Sequence, residues 1–245
     1  MTDLADYLSE SVKEERIRQV RKKINELSID YIYCQYISIT GRIMGKAVPA
    51  SHWEQLAAEG MQTWLGGVAN VFPDRHGNLI GFPPNASELL AFPDPETFCQ
   101  LPWKKRIARV FCTVFWCRED PDHPEQFLDS DCRGNLKRIQ TEFENKHGLH
   151  LRVGCEPEML WLKPGDKDAP YYETTKPYAY HIDQFEQLSD VWLRVYDYSV
   201  AMGLDLIQGD HEDAPGQIEL NFQYDWAIRT SDRLTTYRQI CAQVA

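Results

Sequence analysis

Two glutamates lie on either side of a Pro215-Gly216 break in residues 209–222, a segment that otherwise has the pattern of β-strands. Glu219 stands inside an apolar run, where an unpaired buried charge would be strongly unfavourable. The Pro-Gly pair requires a turn or a bulge between Glu212 and Glu219. The segment therefore predicts a pair of strands whose carboxylates meet a cation.

A second pair of carboxylates, Glu156 and Glu158, lies in another apolar run upstream. Residues two apart on a strand point to the same face, so these side chains project together. By itself such a pair is typical of a solvated sheet face, and that alternative stays open. Carboxylates that converge raise one another's pKa values unless a cation neutralises them, and all-oxygen ligands favour Mg²⁺ or Mn²⁺. We predict these metal ligands and candidate catalytic residues: Glu156, Glu158, Glu212 and Glu219.

Composition argues against several classes of function. The chain has 245 residues and a formal net charge of −11, whereas a nucleic-acid surface needs clustered Lys and Arg. No apolar run approaches the length of a membrane span, and the acidic N-terminus lacks the basic start of a signal peptide. The seven cysteines form no CxxC pair, which favours free thiols in a reducing compartment. We therefore expect a cytoplasmic protein without nucleic-acid or membrane partners.

The first part of the chain has the pattern of a small α+β domain. Helical periodicity predicts an amphipathic helix over about residues 3–27. Two β-rich runs, 31–39 and 43–48, are separated by a glycine turn and predict a hairpin. Residues 109–117 predict a further strand. A change of composition follows, and it sets the first domain at residues 1–118.

The second predicted domain, residues 119–245, also combines helices with strands, so the fold class is α+β. Helical patterns over about 130–146 and 183–202 alternate with the glutamate-bearing strands. The polar, Tyr-rich residues 163–180 predict a long ordered flap. A last helix begins near Ser231 and shows no capping signal before the sequence stops. We therefore expect this domain to be incomplete and cut within a helix.

Several short motifs follow one another along the chain. They are Gly41 to Pro49, Pro93-Asp94-Pro95-Glu96-Thr97, Leu101-Pro102-Trp103, Asp131-x-Arg133, Glu156-x-Glu158 and Pro215-Gly216-Gln217-x-Glu219. Taken in this order, they resemble the glutamine synthetase family over most of residues 15–245. The resemblance implies a β-grasp-like N-terminal domain followed by the first part of a glutamine synthetase-type antiparallel-sheet catalytic domain.

The resemblance also implies a reaction. Members of this family join the γ-carboxylate of glutamate to ammonia or an amine, using ATP and two metal ions through a γ-glutamyl phosphate. By similarity, Glu158, Glu212 and Glu219 would hold the metal on the glutamate side. Glu156 would contribute to the metal on the phosphate side. A ring-forming homo-oligomer is implied for the full-length protein.

Three more residues are assigned by the same resemblance to the nucleotide pocket. Tyr224 falls where the family places an aromatic residue against adenine, although a core tyrosine is an open alternative. Gly216 and Gln217 are expected to shape the same pocket. These residues complete the set of cofactor-binding candidates.

Two departures from the family pattern limit these expectations. The family's later metal-binding and phosphate-clamping residues lie beyond Ala245, so we expect this chain alone to be inactive. A truncated, non-catalytic paralogue that binds nucleotide or metal, or regulates a full-length enzyme, is the alternative. The segment 63–74, where ammonia-using members carry an acidic loop, is apolar up to Asp74. This favours an organic amine over ammonia, unless Trp64 and Phe72 are simply core residues.

Overall fold

The computed structural model describes most of the chain, in ranges that leave several gaps. These ranges are residues 2–9, 12–64, 68, 72–73, 75–76, 79–80, 88–165 and 179–245. The chain forms two compact units, residues 1–142 and 143–245. Each unit combines helices with strands, as the sequence predicts.

The first unit is built on a mixed sheet. Its helices are α1 (Asp3–Leu8), α2 (Val12–Glu26), α3 (Trp53–Glu59) and the start of α4 (Cys132–His147). Its strands are β1 (Tyr31–Ile37), β2 (Ile43–Pro49), β3 (Met61–Trp64), β4 (Phe72–Pro73), β5 (Leu79–Ile80), β6 (Glu88–Pro93), β7 (Cys99–Gln100) and β8 (Ile107–Trp116). Six of them form one sheet in the order β2-β1-β8-β6-β3, with β7 also paired to β8. Only the β1–β8 pair in this sheet is parallel.

The predicted hairpin is confirmed by the pairing of β1 with β2. The two strands are antiparallel from Tyr31 opposite Pro49 to Ile37 opposite Ile43. The turn between them includes Gly41 at φ 73°, a left-handed conformation that glycine adopts without steric cost. The β-grasp-like arrangement stays a prediction, because what the structure shows is a mixed sheet.

The predicted single helix over residues 3–27 is wrong as a continuous element. It is divided into α1 and α2, and α1 ends at Leu8. Ser9 closes α1, because its backbone N–H donates to Ala5 O at 3.0 Å and its hydroxyl donates to Asp6 O at 2.9 Å. A serine that bonds back to the preceding turn competes with continued helix.

A buried ion pair fixes the start of α4 to the first unit. Arg133 Nη2 donates to Asp94 Oδ2 at 2.9 Å, and both side chains are buried. Lys137 Nζ lies 3.3 Å from the same oxygen. Asp131, just before the helix, accepts from the backbone N–H of Val114 at 2.9 Å. Two of the sequence motifs, those of Asp94 and of Asp131-x-Arg133, thus meet in one core.

This packing explains why the first compact unit extends to residue 142, beyond the domain boundary that the sequence predicted after residue 118. The segment that follows β8 remains attached to the first unit through side chains. Phe127, for example, packs on Phe115 with ring centroids 4.7 Å apart. The predicted domain boundary between residues 118 and 119 stays a prediction.

The second unit contains a three-stranded antiparallel sheet with helices on its apolar face. After α4 come β9 (Arg152–Val153), β10 (Glu158–Leu160), α5 (Ile182–Gln187), α6 (Ser189–Ala201), β11 (Leu206–His211), β12 (Gln217–Phe222), β13 (Asp225–Trp226) and α7 (Ala227–Val244). The sheet has the order β10-β12-β11, and β13 pairs with β9. Ile218, Leu220 and Phe222 are buried on one face of β12. The Phe222 ring lies 6.5 Å from that of Tyr237 on α7.

Two predicted helices of this unit differ in detail from those observed. The helix expected over 183–202 is interrupted at Leu188 (φ −103°), where α5 ends and α6 begins. The last helix begins at Ala227, earlier than the predicted Ser231. The flap expected over 163–180 lies mostly outside the described residues. In the described part of the chain no helix is long and apolar enough to cross a membrane, and all seven cysteines are free.

Candidate metal centre

Three carboxylates lie side by side across the strands of the second unit. Glu158 on β10 is the register partner of Glu219 on β12, and Asp210 on β11 is the partner of Glu219 on its other side. Directly paired residues of antiparallel strands project to the same face. Strand pairing therefore places the three side chains in one row on the face of the sheet opposite to its apolar core.

The other two predicted carboxylates flank this row along the chain. Glu212 follows the end of β11, and its backbone N–H donates to Gln217 O at 2.9 Å, which continues the pairing with β12. Glu156 is an exposed residue shortly before β10. Its negative charge reaches the cluster, because it contributes with Glu212 and Glu158 to raising the pKa of Asp210.

The closest grouping consists of Asp210, Glu212 and Glu219. Each offers a carboxylate oxygen, and these oxygens all lie within 4.8 Å of one another. Glu212 and Glu219 were predicted from the sequence, whereas Asp210 was missed. The signal that could have found it is its spacing two residues before Glu212, the same spacing that links Glu156 to Glu158.

Burial makes this grouping electrostatically unusual. Glu219 is only 6% exposed. Burial raises the pKa of Glu219, and the charges of Asp210 and Glu212 raise it further, against a hydrogen bond from Asn221 that lowers it. Burial likewise raises the pKa of Asp210. Among the described residues none of the three carboxylates forms an ion pair with a basic side chain.

The Pro-Gly turn holds β11 and β12 in this register. Gly216 has φ 77°, and its carbonyl accepts from the backbone N–H of Trp161 at 2.8 Å. The side-chain carbonyl of Gln217 accepts from Ala214 N at 3.0 Å, and its amide donates to the Glu158 carboxylate. Gln217 therefore links the turn to the acidic row, which is a positioning role for a residue predicted to shape the pocket.

Tyr224 lies just after β12 and is 52% exposed. The alternative that it is a core tyrosine is therefore wrong. The guanidinium of Arg152 lies 4.9 Å from the centre of its ring, within the range of a cation–π contact. Its ring is partly open to a ligand, as an adenine-stacking residue requires.

The arrangement of donors fits a hard divalent cation. Carboxylate oxygens bind Mg²⁺ and Ca²⁺ at about 2.0–2.6 Å, so oxygens on opposite sides of one ion lie about 4–5 Å apart. The separation of up to 4.8 Å between the oxygens of the grouping agrees with that span. The grouping has no Cys or His among its members, which Zn²⁺ prefers.

Comparisons with known proteins relate this site to one family. Residues 129–245 match the sequence profile described as glutamine synthetase, catalytic domain. The chain is 29% identical over 221 residues to a glutamine synthetase of Rhizobium meliloti (strain 1021), covering 90% of this chain and 47% of that protein. It is also 29% identical over 227 residues to a glutamine synthetase of Methanococcus voltae, covering 88% and 46%.

Solved structures show the same relationship. A GmaS/ADP complex matches with a TM-score of 0.76 and 26% identity, over 91% of this chain and 48% of that chain. An apo GmaS without ligand matches with a TM-score of 0.76 and 28% identity, over 92% and 49%. A novel glutamine synthase homolog, 15% identical, shares the fold with a TM-score of 0.70.

The fold and these relatives define the class of protein as that of the glutamine synthetases and GmaS. Within that class, residues 129–245 match the catalytic domain of the glutamine synthetase family, and the similarity to glutamine synthetases extends over 90% of the chain. It spans about half the length of the curated relatives and solved structures that it matches.

Proposed function

We propose that this chain takes part in ATP-dependent ligation of the glutamate γ-carboxylate to an amine or to ammonia. The reaction would proceed through a γ-glutamyl phosphate. The acidic face of the β10-β12-β11 sheet carries the proposal, because it concentrates carboxylates in register and leaves Glu219 buried without a cationic partner among the described residues. Cations that neutralise such a face stabilise it at neutral pH.

The carboxylates divide into roles by their place on the sheet. Glu212 and Glu219, with Glu158 beside them, would hold a Mg²⁺ or Mn²⁺ ion on the side of glutamate, and Glu156 would contribute to a second ion on the side of the phosphate. Bound cations would orient the glutamate carboxylate and neutralise charge on the transferring phosphate. Gln217 would keep Glu158 directed at the site through the hydrogen bond described above.

The nucleotide would bind beside Tyr224. Its exposed ring and the nearby Arg152 guanidinium offer stacking and positive charge to an adenine nucleotide. The likeness to a GmaS/ADP complex supports this assignment. Gly216, at the opposite end of β12 from Tyr224, would allow close approach of the backbone to a ligand there.

The acceptor is proposed to be an organic amine in preference to ammonia. Trp64, at the end of β3, is 42% exposed, which does not fit a core residue, while the side chain of Phe72 lies outside what the structure describes. The remainder of segment 63–74 lies mostly outside the described residues.

A ring-forming homo-oligomer and a cytoplasmic location stay predictions.

The test is an assay of glutamate-dependent ADP release on the protein expressed from its complete gene. Ammonia and a panel of alkyl-, poly- and aryl-amines are supplied in turn with ATP and Mg²⁺ or Mn²⁺. We expect turnover with at least one acceptor, and we expect Glu219→Gln to reduce it by about tenfold or more because a metal ligand is lost.

Asp197→Asn on α6 is the matched control, since it removes one carboxylate at an exposed position away from the acidic face. It should leave turnover unchanged. An absence of ADP release with every acceptor would show the proposed ligase function to be wrong. The same result would leave the non-catalytic alternative as the better explanation.

A further inference from the structure

The N-terminal helix α1 is bound to the first unit by polar contacts that lie far apart in the sequence. The backbone N–H of Leu4 donates to Glu125 O at 3.1 Å. The Thr2 hydroxyl donates to the Glu125 carboxylate at 2.8 Å. The Asp3 carboxylate accepts from the backbone N–H of Phe127 at 3.0 Å. A helix of six residues is too short to be stable alone, so its docking maintains it.

Two side chains of α1 anchor it on an aromatic cluster of the first unit. Leu4 is 3% exposed and packs with Phe92 and Phe115. The Tyr7 ring lies 5.2 Å from the ring of Phe115, and its hydroxyl donates to Pro93 O at 3.4 Å. Side chains at i and i+3 lie on one face of a helix. Leu4 and Tyr7 therefore form the face by which α1 docks.

Tyr7 also lies against the buried ion pair that fixes the start of α4. Lys137 Nζ is 5.9 Å from the centre of the Tyr7 ring, in the range of a cation–π contact. Burial raises the pKa of the Tyr7 hydroxyl, and the charge of Asp94 raises it further, whereas that of Arg133 lowers it. The docked helix therefore shields the pair formed by Asp94 and Arg133 from water.

The link that receives α1, residues 117–128, has an unusual backbone at Glu125. Its φ is 56°, a left-handed conformation that is unfavourable for a residue with a side chain. Arg118 Nε donates to the Glu125 carboxylate at 2.7 Å, and α1 contributes the bonds to its carboxylate and its carbonyl. Such a conformation persists only where surrounding contacts determine it. The docking of α1 supplies two of those contacts.

We propose that residues 2–9 form a releasable strap, which closes over the link and holds both the link and the start of α4 in place. The ordering of the strap opposes closure, and the burial of Leu4 and Tyr7 favours it. These two contributions are similar in size, so the strap should open while the sheet beneath it stays folded. The proposal does not depend on the ligase function.

Hydrogen exchange, followed by mass spectrometry on the protein expressed from its complete gene, tests the strap. Leu4→Ser removes the buried anchor, and we expect the amides of residues 118–128 to exchange about tenfold faster or more. The amides in the middle of β1 and β8 should exchange at their wild-type rates. Leu8→Ser is the matched control, because Leu8 belongs to the same helix and is 36% exposed. It should leave exchange in the link unchanged.

Cleavage by trypsin after Arg118 gives a second measure of opening. Arg118 lies in the link, and a protease cuts such a bond only when the local backbone opens. Leu4→Ser should accelerate this cleavage by about tenfold or more, in proportion to the opening of the strap. Leu8→Ser should not change it.

Each outcome decides for or against the strap. If Leu4→Ser leaves exchange and cleavage in the link unchanged, α1 does not hold the link. If the link, β1 and β8 all exchange faster to the same extent, α1 is part of the cooperative core and is not released separately. If Leu4→Ser does not fold, the wild-type protein decides. Residues 2–9 and 118–128 should then exchange at similar rates and faster than β8, and any other order overturns the proposal.

Discussion

Two carboxylates that are buried to nearly the same degree have opposite surroundings. Asp94, in the first unit, is 8% exposed, and Glu219, in the second unit, is 6% exposed. Asp94 has Arg133 and Lys137 within ion-pair distance. Glu219 has Asp210 and Glu212 as its closest charged neighbours.

The pKa values follow from these surroundings. Burial acts to raise the pKa of Asp94, but the charges and hydrogen bonds of Arg133 and Lys137 outweigh burial and hold it at about 2. Burial raises the pKa of Glu219, and its acidic neighbours add to the increase. Asp94 is thus neutralised by basic side chains of the chain itself, whereas Glu219 has no basic partner among the described residues, as is typical of functional sites.

The largest effect should come from breaking the internally neutralised site. Asp94→Asn leaves Arg133 buried without its carboxylate, and loss of one partner of a buried pair costs about 3–5 kcal/mol. We expect the free energy of unfolding, measured by urea denaturation, to fall by that amount. Glu96→Gln, which removes the exposed ion pair with Arg16, is the control and should change it by less than about 1 kcal/mol. Equal effects of the two variants would contradict the structural role of Asp94.

The next effect concerns the site that requires an external charge. Mn²⁺ at about 100 times its dissociation constant should stabilise the wild-type protein by about 2.7 kcal/mol, because it binds only the folded state. Glu219→Gln should lose most of this gain. Without metal, the same variant should be as stable as the wild-type protein or more stable, because it removes a buried charge that nothing neutralises. Thermal unfolding with and without Mn²⁺ measures both quantities.

A destabilised Glu219→Gln protein in the absence of metal would contradict the comparison. It would mean that the Glu219 carboxylate is already neutralised within the chain, as Asp94 is. Asp94→Asn gives the complementary control. It should reduce stability by the same amount in the presence and in the absence of Mn²⁺, because the Asp94 carboxylate is neutralised by Arg133 and Lys137.

Local sequence patterns predicted those features of the two sites that depend on short stretches of chain. The alternation around Glu219 and the turn at Pro215-Gly216 were sufficient to predict β11, β12 and two members of the close carboxylate grouping. Asp210 was missed because its position beside Glu219 depends on the register between two strands. That register is set by tertiary pairing and is not visible in a single strand.

The first unit shows the same limit. The motifs containing Asp94 and Arg133 were recognised, but their ion pair joins residues 39 positions apart and could not be read from either motif. The boundary after residue 118 followed a change in composition, whereas α4 is held to the first unit by this pair. The composition of a segment indicates how exposed to solvent it is. It carries little information about contacts between residues that are far apart in the sequence.

The smallest expected effect is a difference in the response to acid. The pKa of Asp94 is about 2 in the folded protein, below its ordinary value of 3.8. Above about pH 5 the carboxylate is ionised in both states, and its stabilisation, about 2 kcal/mol, is fully present. As the pH falls towards 2, the unfolded chain takes up the proton first and this stabilisation is lost. Urea unfolding between about pH 5 and pH 3 should therefore show a steeper loss of stability for the wild-type protein than for Asp94→Asn.

In the metal-free protein, Asp210 and Glu219 have the opposite effect on stability as the pH falls. Their pKa values are raised, so the folded state holds their protons more tightly than the unfolded state does. Parallel curves for the wild-type protein and Asp94→Asn would show that the Asp94 carboxylate is not neutralised by the chain, and the contrast between the two sites would then fail.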